Sequence, residues 1–211
     1  MEKADTKDAQ FYAAVDEAIA FGGPPGGSVT TEAFDAAAAH VARLLSDAAA
    51  AFTQGSFGTC VFLAITSLEE TAKAELMGIR AQVIKSANAT KRDPLRDHAK
   101  KHRIAVRPTT FMGRLPKILG TAVCAKLQEE AESGGLVALR ERALYVHVEK
   151  DGVTTPAHAI SRERGREILL LALECADDVL VGTTNATYAL GEGFEKLISQ
   201  YGQDAGGVEK A

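Results

Sequence analysis

Phe57, Val61, Ala64, Leu68, Ala72, Leu76, Ile79 and Val83 follow one another at intervals of three or four residues. That spacing gathers apolar groups along one side of a helix, whereas a strand would need a period of two. Ser56 to about Ala87 is therefore expected as one long helix, and a stripe of that length needs other helices to cover it. Alanine is abundant throughout, only 6% of residues are aromatic and none is tryptophan. This composition favours closely packed helices, because alanine loses no side-chain entropy on entering one. At 211 residues the chain suits a single all-α domain with one core.

Punctuation along the chain divides the rest. Residues 1–29 read as an N-terminal helix, with Phe11, Val15, Ala18 and Ile19 on one side, followed by the Gly/Pro linker FGGPPGGSV. Thr30 is expected to cap a second helix running to about Thr53. Asp93 and Pro94 have the chemistry of a helix start, and that helix should end before Pro108. Another is expected over 110–132, with a kink or restart at Pro116, and closed by Gly134 and Gly135. LYVHVEKDGVTTP (144–156) then alternates apolar and polar residues around Asp151-Gly152, which predicts a small β-hairpin. Ser161 should cap a last long helix reaching past Leu190. The helical domain is thus expected over 30–201, with a disordered tail at 202–211.

Cys60, Cys124 and Cys175 are odd in number, far apart and set among apolar neighbours. They read as buried thiols of a reducing compartment, with no disulfide framework and no CxxC metal site. No apolar run reaches the ~20 residues of a bilayer crossing, so a cytoplasmic location and no membrane partner are expected. The formal net charge is −4, yet nine basic residues face two acidic ones between Lys91 and Lys117. A concentrated basic patch on an acidic body is the footprint of an anionic partner.

Within that patch RDPLRDHAKKH (92–102) contains two R-x5-H spacings, Arg92 with His98 and Arg96 with His102. Six residues turn a helix by about 600°, or 240° net, so Arg96 and His102 converge poorly within one chain. Arg92, ahead of the helix, can fold back toward His98. A guanidinium gripping phosphate oxygens beside an imidazole that moves protons near neutral pH suits cleavage of a phosphodiester. RNA brings its own nucleophile, the 2′-OH, so neither metal nor cofactor is required. Lys100, Lys101, His102 and Arg103 are then candidates for tracking the RNA backbone. His98 and His102 also have the i,i+4 spacing of some zinc sites, but Lys100 and Lys101 between them repel a cation.

SLEETAKAE (67–75) supplies the acids. Glu69 and Glu70 are each spaced to pair with Lys73 on a helix surface. Glu69 and Lys73 lie at the border of the apolar stripe, where both are expected to meet a neighbouring helix. A partly buried acid there is placed to orient a basic residue, or His98, from the next helix.

LEETAKA (68–74), RDHAKK (96–101) and RERALYVHVEKDGVTTPAHAI (140–160) together resemble the AbiV abortive-infection proteins of the HEPN superfamily, in order and spacing. The resemblance implies a HEPN-like helical bundle that pairs into homodimers, with the basic motifs of two protomers facing one cleft. It also implies metal-independent endoribonuclease activity through an R-x4-6-H motif. Arg92 or Arg96 would be the phosphate ligand and His98 the general acid/base, supported by Glu69, Glu70, Lys73 and Lys101. The function expected on this basis is an anti-phage toxin acting on RNA such as tRNA or rRNA, governed by a phage-protein trigger or an inhibitory antitoxin. The alternative is a non-enzymatic module that binds RNA or a protein partner. Tyr145 and His147 in the hairpin are candidates for contacting such a partner.

Overall fold

The computed structural model describes residues 2–21, 30–82, 93–149 and 152–203. Its elements are helices, apart from one two-stranded hairpin. α1 (Glu2–Phe21) buries Ala14 and Ala18. α2 (Thr31–Thr53) starts where its cap was expected, the Thr30 hydroxyl accepting the Ala33 N–H at 3.2 Å. α3 (Phe57–Gln82) carries the apolar stripe as far as Ile79, with Val61, Ala64, Ile65, Leu68, Ala72 and Leu76 fully buried, while Val83 to Ala87 of the expected helix lie outside the described residues.

The basic segment departs from expectation in its first turn. Asp93 does cap, accepting the Leu95 N–H at 3.0 Å, but only a 3-10 turn, Pro94–Arg96, follows. Asp97 is extended and caps afresh, accepting the Lys100 N–H at 3.2 Å, so α4 is His98–Ala105. A second aspartate four residues after the first competes for the backbone amides and restarts the helix. His98 is thereby the opening residue of α4.

The helix expected over 110–132 is three pieces: a 3-10 turn at Pro108–Phe111, α5 (Leu115–Leu119) with Pro116 in its first turn, and α6 (Thr121–Ser133). Gly120, at φ 84°, separates the last two. α6 ends at Gly134, whose φ of 85° is left-handed, and the chain turns there directly into α7 (Gly135–Leu144). The hairpin follows as β1 (His147–Glu149) and β2 (Gly152–Thr154), with Val148 opposite Val153; Asp151 of its expected turn lies outside the described residues. α8 (Pro156–Ala159) is a single turn.

The last long helix is two. α9 (Arg162–Leu180), capped by Ser161, stops before Gly182, and Thr184 opens α10 (Asn185–Gly202) through a reciprocal capping box with Thr187. The pattern through Leu190 hid this break because α10 also turns an apolar side inward, burying Phe194, Ile198 and Tyr201. Most of the expected disordered tail, 204–211, lies outside the described residues.

α3 packs on α2 and α9, and α10 closes over α2 and α9. A second group, α4, α6 and α7, also closes on α3, which makes α3 the shared spine. α1 lies across α4 and α3. Two details fix this assembly. A Cβ at Gly58 would stand 2.8 Å from Pro156 Cβ and 2.9 Å from the Ala143 carbonyl, so α3 touches the end of α7 nearly backbone to backbone. Arg114 ties the segment before α5 to α9 and α10 through Glu174, Asp177 and Glu195. Among the described residues no helix is long and apolar enough to cross a membrane.

Candidate active site

Glu69 sits on α3 directly after the fully buried Leu68 and is itself only 3% exposed. An acid in that position needs partners, because an unpaired buried charge costs several kcal/mol. α4 supplies three from one face. His98, Lys101 and His102 are related by steps of three and four, so all three turn toward α3. Lys101 Nζ donates to Glu69 Oε2 at 2.5 Å. His98 Nδ1 lies 2.8 Å from both carboxylate oxygens, and His102 Nε2 lies 3.3 Å from Oε1. A fourth group arrives from α7: Arg140 Nε stands 3.8 Å from Oε1, with its guanidinium over the Phe62 ring at 5.1 Å.

The electrostatics follow from this crowding. Burial pushes the Glu69 carboxyl upward, but His102, Lys101 and His98 together outweigh it and bring the group down to about 2. The carboxylate is therefore ionised and can only accept. His98 must then carry its proton on Nδ1, which leaves Nε2 as the nitrogen able to take or give one. The His98 side chain is 43% exposed, so that nitrogen belongs to the solvent-facing part of the cluster. His102 differs. It is fully buried, and burial, helped by the charges of Lys101 and His98 and opposed by Glu69, holds its pKa below the ordinary value. Neither of its ring nitrogens has a hydrogen-bond partner among the described residues.

Several expected site residues take other places. Lys101 and His102 are buried, so within this chain they support Glu69 and do not present themselves to an RNA backbone as surface contacts. Lys100 pairs with Glu17 of α1 at 2.6 Å, and Arg103 Nε donates to the Glu132 carbonyl at 2.8 Å. Glu70 and Lys73 pair with each other at 2.5 Å on the surface of α3. Arg96 is exposed on the 3-10 turn and makes no ion pair among the described residues; Arg92 lies outside them. Arg140 was not among the expected site residues. The only sequence signal for it is that it opens the third resembling segment. The ammonium of Lys101 stands against the carboxylate where a cation bridging Glu69 and the histidines would have to go. Among the described residues no cluster of histidine, cysteine and acid side chains is placed to hold a metal ion.

Comparison with known proteins gives a consistent result. The AbiV family model of HEPN domains matches residues 29–177, a span that takes in α2 through most of α9 and every residue of the Glu69 cluster. No curated protein and no solved structure matches the chain. A match over that share of the sequence places this chain in the AbiV family of abortive-infection HEPN proteins.

Proposed function

We propose that this protein is an abortive-infection effector that cuts RNA in the cytoplasm without a metal ion, as a homodimer in which two copies of the α4 face share one cleft. The observation that supports the reading most is the Glu69–His98 pair, an ionised carboxylate holding Nδ1 of a half-exposed imidazole. This is the arrangement by which an acid fixes a histidine tautomer and orients the ring for proton transfer. In the proposed reaction Nε2 of His98 removes the proton of a 2′-OH. The O2′–P bond forms as the P–O5′ bond breaks, and the 5′-oxygen leaves with a proton from the protonated imidazole of a second protomer. The products are a 2′,3′-cyclic phosphate and a 5′-hydroxyl. Lys101 and the other cations around Glu69 bias the face toward the charge that builds on phosphorus.

The test is cleavage of single-stranded RNA by the purified protein in EDTA, with the product ends identified. Cyclic phosphate ends, and a loss of about 10²–10⁴-fold in His98→Ala with an unchanged circular dichroism spectrum, are the expected results. Metal-dependent cleavage leaving 5′-phosphates would refute the reading.

The hairpin favours a second reading, a non-enzymatic module bound to a protein partner. Val148 and Val153 form an apolar cross-strand pair that is 80% and 62% exposed, next to exposed Leu144, Tyr145 and Val146. Contiguous apolar surface of this kind marks contact sites. If charge at Val148 and Val153 abolished growth arrest in cells while His98→Ala retained it, this reading would replace the first.

A further inference from the structure

A phosphodiester-cleaving face needs a cation directed at the phosphate, yet most cations near His98 are engaged inside the chain. Lys101 is buried on Glu69, Lys100 is held by Glu17, and Arg103 is turned to the Glu132 carbonyl. Arg96 is exposed on the 3-10 turn ahead of α4 and makes no ion pair among the described residues. Arg140 is different. Its guanidinium plane is braced on Phe62, and its Nε, which has no accessible surface, faces the same Oε1 atom that His98 Nδ1 approaches. Nε is 3.8 Å from that oxygen, too far for a hydrogen bond, and the two Nη groups meet no acceptor among the described residues. The side chain is nonetheless 25% exposed. A planar fork that is positioned, partly accessible and not hydrogen-bonded, with the catalytic imidazole on the same carboxylate oxygen, has the form of an unfilled oxyanion grip.

The geometry points to Arg140, from α7, as the arginine that holds the scissile phosphate beside His98, an inference that rests on the nuclease reading above. The phosphate would bridge the Nη groups of Arg140 and the Nε2 side of His98. Glu69 is then a positioning residue for both, since its one carboxylate orients the ring and anchors the guanidinium. Arg96, on the turn before α4, is not needed for the grip.

The experiment compares full-length wild type, Arg140→Gln, Arg140→Lys and Arg96→Gln. Two readouts are taken: cleavage of a single-stranded RNA, and affinity for its uncleavable 2′-O-methyl analogue across a salt series. Arg140→Gln should lower kcat by about 10²–10³-fold. It should also reduce the slope of log Kd against log salt by about 0.7, one phosphate contact on a single strand. Arg140→Lys, which keeps charge and stem, should restore the slope but leave kcat at least about tenfold down, because a point charge cannot replace the fork. Arg96→Gln should lower kcat by less than Arg140→Gln does. Should Arg140→Gln prove too unstable to assay, Arg140→Lys with a wild-type melting curve decides through kcat. Unchanged kcat and slope at position 140, or both losses appearing at Arg96, would overturn the assignment. A wild type that cuts no RNA defeats the nuclease reading alone, and the salt slope then still decides whether Arg140 meets a phosphate.

Discussion

At Glu69 one carboxylate is shared by Lys101, His98, His102 and Arg140, whereas at Arg114 one guanidinium is shared by Glu174, Asp177 and Glu195, the first two at 2.5 Å. Both clusters join long helices to shorter segments, but the sign of the surplus is opposite. The surplus at Glu69 is positive and drives the acid down to about 2. The surplus at Arg114 is negative. There burial raises Glu174 and Asp177, with Arg114 only partly opposing it, and the neighbouring Asp178, where Thr110 opposes it first. A carboxylate cluster can relieve its excess by taking up protons from water. Lysine and arginine beside an ionised acid have no such recourse near neutral pH, and on the reading proposed above a phosphate from outside balances their excess. On that reading the negative cluster is a fastener and the positive one a site.

The largest expected effect falls on the positive cluster. Glu69→Ala leaves the Lys101 ammonium buried without its partner and should cost about 3–5 kcal/mol, read from urea denaturation. A loss under about 1 kcal/mol would mean that Lys101 finds water and the cluster is looser than drawn. The acid dependence of this term has a definite sign. The folded pKa of Glu69 is lowered from 4.5 to about 2, so its contribution is complete above 4.5 and disappears as pH falls through that interval. The stability gap between wild type and Glu69→Gln should therefore close on acidification between those limits, and not at pH 6.

Arg114→Met should cost less, about 1–3 kcal/mol at pH 8, because Asp177 and Glu195 reach solvent. The loss should shrink at pH 5, since the raised acids bind protons more readily once the guanidinium is gone. A penalty that grows on acidification would contradict the account of this cluster. The smallest effect is expected at Glu70, next in sequence to Glu69 but paired among the described residues with Lys73 alone. Glu70→Gln should change the urea midpoint by an amount equivalent to no more than about 0.5 kcal/mol. A larger change would show that Glu70 belongs with the interior group after all.

What could be read from the sequence was local. The stripe from Phe57 specified α3 because every step repeated the same period, and it placed Glu69 at the margin, facing a neighbour. The Asp93 cap was legible too, but not the reset at Asp97, since two aspartates in one turn-length compete and the winner depends on where α3 holds the chain. α7 was hidden because Gly134-Gly135 reads as a terminator. In the fold Gly134 ends one helix and begins the next with a single left-handed residue. Arg140 was lost with it: its partner on α3 is 71 positions away, and no periodicity connects residues that meet only through tertiary packing. The split between α9 and α10 escaped for the converse reason, an apolar pattern that continues across a break.

The missing side chain at position 58 has a mechanical meaning. Ala143, whose carbonyl leaves no room for a Cβ there, is one helical turn beyond Arg140. Even a methyl group at that point would act as a wedge at the far end of a lever, tilting α7 outward and drawing the guanidinium back from the imidazole. If Arg140 and His98 do share a phosphate, the width of its seat is gauged by a residue that touches none of the chemistry.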